Sequence, residues 1–85
     1  MDNLDFGAAV AALKNGKRVS RAGWNGKGMY LFIVAIWKPV RYGGEAPIAT
    51  LREPLPFIAM KTADDGVVPW LASQTDILAE DWIVT

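Results

Sequence analysis

Nine consecutive apolar residues, Met29 to Trp37, restrict this chain more than any other feature. The run is rich in β-branched and aromatic side chains and alternates poorly, so it predicts a strand with both faces covered. It is far short of the ~20 residues that a membrane-spanning helix needs. In a chain of 85 residues, a single domain, one face can meet a helix and the other a second subunit. Upstream, Phe6, Ala9, Val10 and Leu13 recur at helical spacing and predict an N-terminal helix with one apolar face. Asn3 or Asp5 suits its N-cap, Lys14 its last turn, and Asn15-Gly16 its termination. The small alanine-rich face lets such a helix lie close against a sheet.

The rest of the chain reads as short strands. Arg18 to Arg21 alternates, and Ala22 to Gly28 is a glycine-rich loop. Phe57 to Trp70 reads as a hairpin turning at Asp64-Asp65-Gly66, with Pro69 placing its second strand at an edge or at its end. Between them, residues 38–56 are broken by Pro39, Gly43, Gly44, Pro47, Pro54 and Pro56. A connection this long is either functional or mobile. Ser73 with Asp76 resembles a capping box and predicts a short helix through Ala79. Trp82-Ile83-Val84 follows as the last strand. The expected class is α+β: one domain over residues 1–85, with an N-terminal helix packed on a small antiparallel sheet of four or five strands and a short helix before the last strand.

Composition adds exclusions. The chain is 52% hydrophobic and holds four Trp, three Phe and two Tyr. A domain this small buries only about 60% of its unfolded surface, so self-association is expected to hide the remainder. There is no Cys for a disulfide or a thiol nucleophile, and no His, the commonest general base and metal ligand. Nine basic residues balance nine acidic ones, which is not the footprint of a DNA or RNA polymer binder. The N-terminus lacks a basic region followed by an apolar core, so a soluble cytoplasmic protein is expected, with no membrane partner.

Two segments hold the side chains suited to a ligand. In Trp24-Asn25-Gly26-Lys27-Gly28, a tryptophan beside turn amides and one lysine suits a stacked purine and a phosphate. The same residues also fit a plain hairpin turn with Trp24 tucked into the core. In Trp70 to Asp76, Asp76 suits ribose hydroxyls, Ser73 and Gln74 a base edge, and the helix start an anion. Capping by Ser73 or Thr75, with Asp76 favouring the first turn, accounts for these residues equally. Asp76 and Glu80 share a helical spacing, and Asp81 follows, but a solvated face explains them without catalysis. Lys61 fits a phosphate contact or an edge strand reaching solvent. Arg41, Tyr42 and Arg52 suit either a ligand cover or plain surface. No Ser-His or Cys-His pair, metal cluster or phosphate-loop motif is present, and no cofactor is implied. The inventory suits a concave site for one polar, ring-bearing ligand.

Several runs also resemble a known family. Phe6-Gly7-Ala8-Ala9 with Leu13 to Val19, then Arg21 to Leu31, then Pro56 to Ile58 with Met60 to Asp64, and Val68 to Trp82 are similar to the second type of Thoeris anti-defence protein. The likeness covers nearly the whole chain except residues 38–55. It implies a phage protein, not an enzyme, acting in the cytoplasm of the infected bacterium. Such a protein sequesters a cyclic ADP-ribose isomer made by the host's TIR enzyme, and some members also take cyclic di- or trinucleotides of CBASS defence. It implies a homotetramer, a dimer of dimers, with pockets between subunits. By matching motif positions, Trp24, Asn25, Gly26 and Lys27 would form one wall, and Trp70, Ser73, Thr75 and Asp76 another. A structural module of a phage particle, or a nucleotide-processing enzyme using Asp76 or Asp81, are the alternatives.

Overall fold

The computed structural model describes residues 2–24, 28–38 and 54–85. Helix α1 spans Phe6–Lys14, and strands β1, β2, β3 and β4 span Val19–Arg21, Tyr30–Val34, Phe57–Lys61 and Val67–Pro69. Helix α2, Gln74–Leu78, precedes strand β5, Trp82–Val84. The strands form one sheet in the order β4-β3-β2-β1-β5, antiparallel at every junction. The class is therefore α+β, with the expected helix at the start and a short helix before the last strand.

Local chemistry accounts for the ends of α1. The Asp5 carboxylate accepts from the Ala8 amide at 2.8 Å, satisfying one of the helix's orphan donors. Asn15 closes the helix and Gly16 follows with φ +80°, the left-handed conformation that glycine adopts without a Cβ clash. Ala9 and Leu13 are fully buried against Val19, Leu31 and Trp82 of the sheet. The alanines of the helix face permit this close approach. Leu4 exchanges two 3.0 Å backbone bonds with Trp82, tying the chain's start to β5.

The register assigns the two faces. Leu31 opposes Val19 and Met60, and Ile33 opposes Ile58, so these side chains share the helix-covered face. Tyr30, Phe32 and Val34 therefore point the other way, with Phe57 and Pro69 beside them. Among the described residues, no helix or strand covers that second face. The apolar run also makes a shorter strand than expected. Only Tyr30–Val34 pairs with β3; Ile36 is 95% exposed, and Trp37 turns back to donate its indole N–H to the Leu55 carbonyl at 2.8 Å. Trp37 meets Phe57 edge-on, with ring centroids 5.5 Å apart. Pro69 ends β4 at the sheet's edge, where its missing N–H costs no ladder bond.

Candidate ligand site

At the β5 end of the sheet, Trp82 sits at the centre of an aromatic cluster. It is fully buried, and Phe6, Trp24 and Trp70 surround it at ring-centroid distances of 5.6, 5.7 and 6.1 Å. Trp24 and Trp70 both meet it near perpendicular, the edge-to-face arrangement that aromatic quadrupoles favour. The two tryptophans expected on separate walls are thus joined through a third. Each stays half-buried, with surface left for another ring.

Trp24 ends a 3₁₀ turn, Ala22–Trp24, that directly continues β1. Asp81 holds this turn at successive points. Its carbonyl accepts from the Ala22 amide at 3.1 Å, its Oδ2 from the Gly23 amide at 3.3 Å, and its Oδ1 from Arg21 Nε at 2.9 Å. Asn25, Gly26 and Lys27 lie outside the described residues, as do Arg41, Tyr42 and Arg52.

The second wall is the start of α2. Ser73 is its N-cap, and the capping box expected with Asp76 is present in both directions. Asp76 donates its amide to Ser73 Oγ at 3.1 Å, and Asp76 Oδ2 accepts from the Ser73 amide at 3.1 Å and hydroxyl at 2.8 Å. Thr75 Oγ1 lies 2.9 Å from Ser73 Oγ. Two donors at the helix start are thus taken up within the chain. The Ser73, Gln74 and Thr75 side chains face solvent.

Arg21 joins the walls. Its Nη1 donates to Asp76 Oδ1 and its Nε to Asp81 Oδ1, each at 2.9 Å. Both pairs are partly shielded, with side-chain exposures of 22%, 15% and 33% for Arg21, Asp76 and Asp81. Burial pushes the Asp76 carboxyl up. Its bonds from Ser73 and the Arg21 guanidinium outweigh that and hold it below the usual carboxylate range. The Arg21 guanidinium likewise holds Asp81 low, against a smaller effect of burial, with the Gly23 amide helping. Arg21 itself is raised, through Asp81 first and Asp76 second. Trp82 completes the assembly by donating its indole N–H to the Asp76 carbonyl at 3.1 Å.

These contacts revise the reading of the charged residues. Asp76 and Asp81 are not on a solvated face; one guanidinium holds both. Glu80 does not share a helical face with Asp76, because α2 ends at Leu78 and Ala79 is already extended. Lys61 is neither on an edge strand nor reaching freely to solvent, since β3 lies inside the sheet. Its ammonium donates to the Gly28 carbonyl at 2.8 Å, pairs with Asp65 at 2.7 Å and lies 5.9 Å from the Tyr30 ring centre. Sequence reasoning missed Arg21 and Trp82 as parts of the site, and offered Asp81 only as a residue of the alternative enzyme. The available signal was an arginine at the end of a short strand, immediately before the glycine-rich turn.

Residues 4–85 match the model of a family described as Tad2-like, the Thoeris anti-defense 2-like domain. The chain is also 44% identical over 85 residues to a protein named Thoeris anti-defense 2 from Bacillus phage SP01, covering 93% of this chain and 91% of that protein.

Proposed function

The chain belongs to the Thoeris anti-defense 2-like family, and on that premise we propose that it sequesters a nucleotide-derived immune signal without cleaving it. The ligand is a cyclic ADP-ribose isomer, with cyclic di- or trinucleotides as further candidates. The observation that carries the reading is the pairing of two half-buried tryptophans with the exposed Thr75 hydroxyl at the start of α2. Trp24 and Trp70 offer rings to a base, and Thr75, whose hydroxyl proton goes to Ser73 Oγ, keeps its oxygen's lone pairs for ribose or base edges. Asp76 contributes by fixing Ser73, because each of its oxygens already has a partner.

Holding rather than reacting suits these residues. An effective general acid or base has a pKa near the working pH. Asp76 and Asp81 are shifted the opposite way, locked as weakly basic carboxylates against a guanidinium. The described residues contain no group of side chains suited to a metal ion. A sponge acts by mass action, so its dissociation constant must lie well below the signal concentration; a nanomolar value corresponds to about −12 kcal/mol.

Affinity of that order calls for a ligand enclosed on most sides. The walls of one subunit are open, and apolar side chains stand exposed beside them: Leu71 at 91%, Leu78 at 74% and Ile77 at 41%. A second subunit placed there would close the site, in keeping with a homotetramer built as a dimer of dimers in the cytoplasm of the infected host.

Calorimetric titration with a cyclic ADP-ribose isomer tests the site. Trp24→Ala is expected to lose the stacking contribution, about 1–3 kcal/mol per base, while keeping the wild-type oligomer. Unchanged affinity in Trp24→Ala would remove this wall from the site.

A further inference from the structure

We propose that Arg21 is the positioning residue of this site: its single guanidinium fixes the Trp24 turn and the Ser73 helix start relative to each other before any ligand arrives. The inference rests on the site assignment above and adds how its two walls are held in register.

The connectivity is direct. From Arg21, one N–H runs to Asp81, and Asp81 in turn holds the Ala22 and Gly23 amides that place Trp24. Another N–H runs to Asp76, and Asp76 in turn holds Ser73, whose hydroxyl meets Thr75. A guanidinium is planar, and its N–H directions are fixed relative to each other. Holding two carboxylates through separate nitrogens therefore sets the angle and spacing between the elements that carry them. The joint is stiffened from behind by Trp82, which packs edge-to-face with Trp24 and donates to the Asp76 carbonyl.

A direct role for Arg21 on a ligand phosphate is disfavoured by its surroundings. One positive charge lies between two carboxylates that are held ionised, so the cluster carries a net negative charge. Such a cluster does not attract an anion. Its contribution is preorganisation: groups already fixed by folding are not ordered again at the cost of binding.

Amide hydrogen exchange on the full chain without ligand tests the joint, using Arg21→Gln and Arg21→Lys. Lysine keeps the charge but lacks the fork, so it carries the test even where Arg21→Gln fails to fold. The amides of Gly23 and Trp24 and those of Ser73 and Asp76 are expected to exchange together, at least about tenfold faster, in either variant. Leu31 and Ala59, in the sheet's interior, are expected to lose protection only by the fall in global stability that urea denaturation reads, so a larger acceleration at the two walls separates the joint from a general loss of stability. Asp81→Asn is expected to speed Ser73 and Asp76 as well, because Asp81 reaches that wall through Arg21. Acceleration of one wall alone would overturn the proposal. Titration with a cyclic ADP-ribose isomer completes the test: Arg21→Lys is expected to bind about tenfold more weakly, with an unchanged salt dependence. Wild-type affinity in a variant whose walls have loosened would overturn the positioning role. A wild-type protein that takes up no nucleotide would instead end the site assignment, and the positioning role with it.

Discussion

Arg21 gathers two carboxylates in one place, and these partners give it a pH signature. Asp76 and Asp81 are both held below the ordinary carboxylate value, which is about 3.9 in an unfolded chain. A depressed carboxylate stabilises the fold fully above its unfolded pKa, and that stability drains away as pH falls through the lower folded value. Wild-type protein is therefore expected to lose stability on acidification below about pH 4 more steeply than Arg21→Gln. Urea denaturation across acidic pH would check this, and parallel curves would contradict the pairing. Sequence could not reveal the cluster, because Arg21 meets Asp76 and Asp81 across 55 and 60 residues of chain. The capping box was legible because its partners lie three residues apart.

Among the elements, those defined by local chemistry were readable. The apolar periodicity of α1, its Asp5 cap and its Asn15-Gly16 end all stand as the residues imply. Gly16 allows a clean check. A Cβ built there meets no atom within 4 Å, so Gly16→Ala costs only the left-handed backbone penalty, roughly 1–2 kcal/mol. Asn, which visits that region more readily, is expected to cost less than Ala in thermal melts; equal costs would contradict this account of the helix end. Elements whose limits depend on partners were less readable. Met29 to Trp37 looks like one long strand, yet β2 extends only as far as β3 can pair with it. Lys61 reads as an edge residue until β3 is seen between β2 and β4.

At the scale of the whole molecule, one sheet face meets α1, and the other presents Tyr30, Phe32, Val34 and Phe57 with no described helix or strand above it. A separate apolar group, Leu71, Ile77 and Leu78, stands around α2. The proposed dimer of dimers would need two different contacts, which these two patches could supply. A buried unpaired charge is costly at an interface. Phe32→Glu and Leu78→Glu are therefore each expected to reduce the assembly by one step, and together to yield folded monomers by light scattering; a wild-type monomer would contradict the assembly. The central claim, intact capture, is tested most directly by incubating the protein with a cyclic ADP-ribose isomer, washing by ultrafiltration, heating, and identifying what is released by mass spectrometry. The account predicts recovery of the unaltered cyclic compound in a fixed ratio to protein. Recovery of linear ADP-ribose, or of nothing above the protein-free control, would contradict it.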